Sequence, residues 1–405
     1  MKKALRALLT LIVLVSCSVS ARGTVADTCI YLLNIYPGSE IYELEGHSAI
    51  ALTMPGRPAI AFNYGVFDFN RPNFVYRFVK GETDYMAVAW PLEAFLSSYD
   101  GSGRRIVAHE LNLDSGQKKR LVEMLFDNVR PENATYRYNY VLNNCATRPL
   151  AVVERAVGDS LVFGPAPFEA NSSLPVTFRN VMRSYHANYP WYQFGIDLAL
   201  GSGIDRPVDS RALTFAPAEL DRMLDHATAG GKQLVSRSHV IVDTAPEAGT
   251  DGPTPWYLTP ICVCSLILLL AIALTVRDIR RHRESRWFDA VFFGAFGLTG
   301  CLLTFLIFVS THEATSPNWL YIWLNPISLL VPVMVWFPAC RRVLECYYAA
   351  NLLALVLLCV CWYWIPQSGN VAFVPLIAAD MLRSASYLVV NHGICSGSRG
   401  RKGCR

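Results

Sequence analysis

A thiol and an imidazole are the side chains of this sequence best suited to covalent chemistry. His47 sits in Glu45-Gly46-His47-Ser48-Ala49-Ile50, and Cys145 lies far downstream in Tyr140-Val141-Leu142-Asn143-Asn144-Cys145-Ala146-Thr147. A cysteine beside a helix start, with a histidine on a strand to take its proton, is a recurrent way of making a thiolate nucleophile. Residues 47–53 are apolar and β-prone, 54–58 read as a turn (Met-Pro-Gly-Arg-Pro), and 59–64 read as a second strand. A hairpin over these residues brings Phe62, Asn63 or Tyr64 close to His47. Asn63 then accepts the imidazole N–H and fixes its tautomer, the role of the third member in such sites. Asp68 and Glu45 compete for that role, Glu45 only if the strand begins early enough to place it on the face of His47.

The elements that must carry the cysteine are helical. Residues 115–129 show an apolar stripe (Leu121, Met124, Leu125) behind a polar start, which predicts a helix. Asn143 and Asn144 are good capping residues, and the chain from Cys145 onward continues as a second helix, with Pro149 in the first turn, where a missing N–H costs little. Cys145 is thus expected at a helix N-terminus, where the dipole and an imidazolium partner lower a thiol pKa from about 8.5 to roughly 3.5–7.5. First-turn amides are candidates for an oxyanion hole. Asn144, Arg148 and Tyr64 are candidate substrate-binding residues beside this centre. His312, next to Glu313 in an apolar-flanked loop, is another.

The remaining histidines and cysteines suggest less chemistry. His109, His186, His226 and His239 are expected at the surface, and Arg148, Arg179 and Arg183 in solvated roles or on a phosphate. Of 12 cysteines, Cys262, Cys264, Cys301, Cys359 and Cys361 fall in apolar segments as small fillers, and Cys340, Cys346, Cys395 and Cys404 lie near basic ends. Cys262-x-Cys264 and Cys359-x-Cys361 lack zinc-site spacing and companion histidines, so no metal or cofactor is expected. Cys29 and Cys145 belong to the same globular stretch. Their pairing as a disulfide in an oxidising compartment would end the catalytic reading.

Hydropathy divides the chain. Residues 1–21 carry a basic start (Lys2, Lys3, Arg6), an apolar run and small residues, the pattern of an export signal. Leu14-Val15-Ser16-Cys17 fits a lipoprotein signal, and Val19-Ser20-Ala21 suits ordinary signal peptidase. Residues 22–242 have globular composition, and 243–255 read as a linker. Five apolar segments follow within 256–390, at 256–276, 287–310, 320–337, 344–365 and 371–390, before a basic tail at 391–405. The third is short, and the fifth carries Asp380 and Arg383. Arginines cluster after the first, third and fifth segments, and the loops 311–318 and 366–370 contain no Lys or Arg. Five crossings with an exported N-terminal domain and a cytoplasmic C-terminus satisfy the positive-inside rule. The net charge of +4 is mostly this topology signal, and nothing points to nucleic acid.

With these residues in view, the chain resembles the Lnb family, the Bacteroides-type lipoprotein N-acyltransferases. The segments Tyr36-Pro37-Gly38-Ser39-Glu40-Ile41-Tyr42-Glu43-Leu44-Glu45-Gly46-His47, Phe62-Asn63-Tyr64-Gly65-Val66-Phe67-Asp68-Phe69 and Asn143-Asn144-Cys145-Ala146-Thr147-Arg148 carry the resemblance. It extends through Trp191-Tyr192-Gln193-Phe194-Gly195-Ile196-Asp197-Leu198-Ala199-Leu200-Gly201 to Asn318-Trp319-Leu320 and Asn325-Pro326. The resemblance implies an α+β papain-like domain, circularly permuted with His before Cys as in relatives of NlpC-type murein peptidases, followed by an all-α five-helix transmembrane domain in a bacterial inner membrane. It implies His47 and Cys145 as catalytic residues, a membrane phospholipid as acyl donor and a diacylglyceryl apolipoprotein as acceptor. Two other readings stand beside it. One is a membrane-anchored cysteine peptidase or amidase acting on the cell wall; the other is a non-catalytic sensor with a Cys29–Cys145 disulfide.

Overall fold

The computed structural model describes residues 27–67, 72–164, 176–244 and 254–400, with side chains described to Asn391. The expected export signal, Cys17, Asp68, most of the linker and the end of the basic tail lie outside the described residues. Two compact units are present, Met1–His186 with Pro207–Pro253, and Ala187–Arg206 with Thr254–Arg405. Residues 187–206, expected in the exported domain, therefore group with the helical unit.

The first unit is rich in sheet. Its strands are β1 (Cys29–Ile35), β2 (His47–Thr53), β3 (Ile60–Val66), β4 (Asp84–Pro91), β5 (Ile106–Leu111), β6 (Thr135–Arg137), β7 (Leu161–Val162), β8 (Thr228–Ala229), β9 (Lys232–Gln233) and β10 (Val235–Val242). Seven of them form one sheet in the order β10-β5-β1-β2-β3-β4-β6, and β7-β8-β9 form a small second one. The described helices of this unit include α1 (Ser115–Asn128), α2 (Thr147–Val157), α3 (Phe178–Tyr185) and α4 (Pro217–Leu224).

Alternation explains how the sheet buries both faces. Ile30, Leu32, Ile50, Leu52, Phe62 and Tyr64 face a core completed by Leu121 and Leu125 of α1, Leu150 and Val153 of α2, and Leu220 of α4. Tyr31, Leu33, Ile35, Ala49, Ala51 and Ala61 face the other way, onto Leu92 and Phe95. Side chains two apart share a face, so a one-residue slip would exchange these two sets and misplace His47. The helix expected over 115–129 forms over Ser115–Asn128 and is closed by a capping box. Asp114 Oδ1 accepts from the Gln117 amide at 2.8 Å, and Gln117 Oε1 accepts from the Asp114 amide at 3.0 Å.

One irregularity matters for the site. The β2–β3 ladder runs from Leu52↔Ile60 to Ala49↔Asn63 and stops there. Beyond Asn63, β3 bulges between Tyr64 and Val66, at a Gly65 with φ +91°, a region open mainly to glycine. His47 and Ser48 are left without a β3 partner, and the sheet parts at that end.

The second unit is helical. Among the described residues, four of its helices are long and apolar enough to cross a membrane. They contain α5 (Pro260–Arg281), α6 (Arg286–Phe308), α7 (Arg341–Cys361) and α8 (Phe373–Gly400). Five such helices were expected, and the third segment, 320–337, is the exception. It is broken into the 3₁₀ turns Trp319–Ile322 and Pro326–Leu329 and the short helix Leu330–Met334. Pro326 and Pro332 cannot donate to a continuous helical ladder, and Asn325 Oδ1 caps the restart by accepting from the Ile327 amide at 3.1 Å. The broken segment nevertheless follows α6 along its length. Tyr321 lies 6.0 Å from Phe308 between ring centroids, Pro332 is 3.6 Å from where a Cβ on Gly294 would sit, and Trp336 is 4.6 Å from Trp287. A Cβ on Gly300 would strike the Asn325 backbone, so the glycine admits the chain at closest approach.

Ionisable residues inside this unit are paired, as a low-dielectric setting requires. Arg383 of α8 donates to Asp289 Oδ1 at 2.7 Å and Oδ2 at 2.9 Å, to Asp278 Oδ2 at 2.9 Å and to Thr275 Oγ1 at 3.1 Å. Asp380 accepts from Asn351 Nδ2 at 2.7 Å and Ser384 Oγ at 3.1 Å. The helix Pro190–Ala199 joins two loops of the same unit. Asn318 Nδ2 donates to the Leu198 carbonyl at 2.9 Å, and Asn370 Nδ2 to Asp197 Oδ2 at 2.9 Å. Gln367 bridges the loops, accepting from the Trp319 amide at 2.7 Å and donating to Asn318 Oδ1 at 3.1 Å.

Candidate active site

His47 opens β2, and Asn63 lies on the same sheet face one diagonal step away. His47 Nε2 and Asn63 Oδ1 are 2.7 Å apart. An amide oxygen only accepts, so Nε2 carries the proton and donates it, which leaves Nδ1 as the basic nitrogen.

Cys145 is set by a closed loop. Asn139 and Asn143 exchange two backbone hydrogen bonds, at 3.1 and 3.0 Å. Asn144 Oδ1 accepts from the amides of Ala146 and Thr147, both at 2.9 Å, and Thr147 Oγ1 accepts from the Asn144 amide at 2.8 Å. The cysteine therefore precedes α2 directly, in the gap where the sheet parts. A Cβ on Gly65 would lie 3.5 Å from Cys145 Cβ, and the amides of Ser48 and of Cys145 itself point at the sulfur. Cys145 thus sits against the first residues of β2, at Ser48, the neighbour of His47.

Two electrostatic expectations change. Removal from water pushes the Cys145 thiol up to about 12, against the two amide donors, and the nearby Glu45 carboxylate pushes the same way. Removal from water likewise pushes His47 down to about 4, opposed by its bond to Asn63 and aided by the positive charge of Arg104. Burial thus works against the low-pKa thiolate expected from the helix start. The first-turn amides are also unavailable as an oxyanion hole. Asn144 takes Ala146 and Thr147, the Arg148 amide donates to the Asn144 carbonyl at 3.1 Å, and residue 149 is proline. The amides of Ser48 and Cys145 are the donors left facing the sulfur.

The other candidates fall in different places. Asn144 is buried and spends its amide on the Tyr140 and Phe215 carbonyls, both at 2.8 Å, so it holds the loop and does not face substrate. Tyr64 is fully buried on the helix side, its hydroxyl accepting from Asn128 Nδ2 at 3.1 Å, which makes it core. Arg148 stacks on Tyr136, 3.9 Å from the ring centroid, and reaches Asn143 Oδ1 at 3.3 Å. His312 belongs to the helical unit, where its carbonyl accepts from Thr315 Oγ1 at 2.8 Å. Glu45, a rival for the third role, is engaged by Tyr140 Oη at 2.5 Å and His186 Nε2 at 3.2 Å. No disulfide joins Cys29 to Cys145. Cys29 pairs with Thr53 at the far end of β1, while Ile35 pairs with His47. Six strand steps separate those ends by about 20 Å, well beyond the ~7 Å between Cα atoms that a disulfide tolerates. The disulfide reading is thereby excluded.

Sequence reasoning missed four buried polar residues. His109 and His186, expected at the surface, are buried, and His109 holds Asp221 at 2.5 Å and Ser238 at 2.8 Å. Arg179 is likewise fully buried rather than solvated. Arg104 was not singled out at all. It is 4% exposed, donating to the Tyr36 carbonyl at 2.7 Å and Glu43 Oε1 at 3.0 Å, and its charge acts on both His47 and Cys145. No local pattern marks it, because its partners lie more than sixty positions earlier.

Comparison with known protein families gives two matches. Residues 22–184 match a model described as the Lnb N-terminal periplasmic domain, and residues 253–392 match one described as the Lnb transmembrane domain. No curated protein and no solved structure matches the chain.

Proposed function

The chain belongs to the Lnb family, and from that premise we propose that it is an apolipoprotein N-acyltransferase acting by a cysteine thioester. The supporting observation is the seating of Cys145, its sulfur faced by the Ser48 amide, beside a His47 whose ring is oriented by Asn63. A helix-start cysteine packed on the sheet that bears the histidine supports a papain-like reading with the order of the two residues reversed.

In the first half-reaction, His47 Nδ1 takes the Cys145 proton as the sulfur attacks the acyl ester of a membrane phospholipid. The amides of Ser48 and Cys145 receive the carbonyl oxygen as it becomes negative. Collapse breaks the ester C–O bond, and the imidazolium returns its proton to the departing lysophospholipid alkoxide. In the second half, the α-amine of a diacylglyceryl-cysteine attacks the thioester. His47 takes the amine proton and passes it to the leaving thiolate, giving an amide and the free thiol.

The helical unit suits such a substrate. Each methylene moved from lipid to water costs about 0.8 kcal/mol, so exposing a long chain costs on the order of 10 kcal/mol. The topology proposed with this function has five crossings, the third made by the broken segment along α6, and a cytoplasmic C-terminus.

The test is the mass of a reporter lipoprotein's N-terminal peptide in cells depleted of their own N-acyltransferase, expressing this protein or Cys145→Ala. The proposal expects an added amide-linked acyl group with the parent only. A free amine with both, at equal expression, would shift the reading to cell-wall hydrolysis.

A further inference from the structure

At the end of α5 farthest from Pro260, the chain turns into α6 and a cavity of about 770 Å³ opens among α5, α6, α7 and α8. Four arginines line it, Arg277, Arg283, Arg286 and Arg341, against one carboxylate, Glu284. Glu284 is already engaged, with Arg286 at 3.0 Å and Asn391 Nδ2 at 2.8 Å. Arg277 is held by Asp278 at 3.1 Å, and Arg341 by Glu345 at 3.0 Å and the Asn391 carbonyl. Arg283 gives its amide to the Asp278 carbonyl and has no acidic partner among the described residues. The cavity therefore carries excess positive charge.

Its other wall is apolar. Leu274, Phe288, Leu344 and Val390 line it, with the Trp287 and Trp336 rings 4.6 Å apart. A soluble anion would satisfy the arginines and leave that wall wet. A ligand with a phosphate at one end and hydrocarbon at the other satisfies both, and basic pockets between membrane helices commonly hold such head groups.

We propose that this cavity holds an anionic phospholipid, with its phosphate at Arg283 and Arg286 and its chains along Leu274 and Phe288. The site is distinct from any donor site near the linker. α5 has 22 residues, about 33 Å of helix, and the cavity lies at its far end. The bound lipid neutralises the arginine cluster and joins α5, α7 and α8. None of this depends on the acyl-transfer reading.

The experiment is native mass spectrometry of the full chain in mild detergent, titrated separately with phosphatidylglycerol, phosphatidylethanolamine and inorganic phosphate. Retention of phosphatidylglycerol in preference to phosphatidylethanolamine is expected. Arg283→Gln with Arg286→Gln should weaken that binding by about tenfold or more. Arg280→Gln with Arg281→Gln, exposed at the same helix end but outside the cavity, should leave it unchanged. Arg283→Lys with Arg286→Lys keeps the charge and should retain the lipid, which separates lost binding from lost folding. Equal loss in both glutamine pairs, equal binding of the two lipids, or displacement of phosphatidylglycerol by inorganic phosphate would overturn the proposal.

Discussion

In the helical unit Arg383 is fully buried and makes four hydrogen bonds, to Asp289, Asp278 and Thr275. In the sheet unit His47 has Asn63 as its side-chain hydrogen-bond partner, through Nε2. Saturated groups lock helices, because each lost partner strands a charge in a dry setting. A group with one fixed partner and one open nitrogen can exchange a proton. The contrast separates polar residues that hold the molecule together from those available for chemistry.

The sharpest way to break this comparison is to remove each kind of group and read both activity and stability. Cys145→Ala is expected to lower N-acylation by at least about 10³-fold, the usual cost of losing a nucleophile, with an unchanged unfolding temperature. Transfer at parental rate by Cys145→Ser or Cys145→Ala would remove the sulfur from the mechanism. Arg383→Leu should do the reverse. It strips Asp289 of its ion-pair partner and leaves Asp278 with Arg277 and Ser285, and should cost about 3–5 kcal/mol, read as a lower unfolding temperature in detergent with proportionate loss of folded protein. A stable Arg383→Leu variant would show that the two carboxylates take protons instead.

Asn63→Ala tests the orienting bond. It should cost about tenfold to a hundredfold in transfer, part of the 10²–10⁴ that a positioned general base supplies, while Asn63→Gln recovers some of it. An effect on stability alone would make Asn63 structural. The smallest effect is one of pH. With the thiol pushed up to about 12, iodoacetamide should label Cys145 slowly at pH 7 and faster as the pH rises. Rapid labelling already at pH 5–6 would reveal an ion pair. His47, pushed down to about 4 from an ordinary value of 6.5, binds fewer protons folded than unfolded between those values. Stability should therefore be full above about pH 6.5 and fall as the pH drops toward 4, and His47→Asn should flatten that limb.

Local pattern made the hairpin of the candidate site readable. The β-prone runs 47–53 and 59–64, with the Pro-Gly turn between, brought Phe62, Asn63 or Tyr64 near His47, and Asn143 and Asn144 with Pro149 marked the helix start. Charge states were not readable, since the sign of the thiol shift depends on how far the closed sheet and helices exclude water. Arg104 and the Glu45–Tyr140–His186 group join residues far apart in the chain, and such pairs leave no periodic trace. The third apolar segment counted correctly as hydrophobic but carried its breaks in Asn325-Pro326 and Pro332, which hydropathy averages away.

The excursion of residues 187–206 into the helical unit has a consequence for dissection. A protease cutting the 245–253 stretch would leave an amino-terminal fragment that still owns the helix Pro190–Ala199, which clasps Asn318 and Asn370. The nicked halves would remain one particle, as complementing fragments of a split protein do. A soluble version ended at residue 242 would instead present that helix as an orphan, with Asp197 stripped of Asn370. Deleting 187–206 from it, with a short bridge from His186 to Pro207, is the cleaner cut.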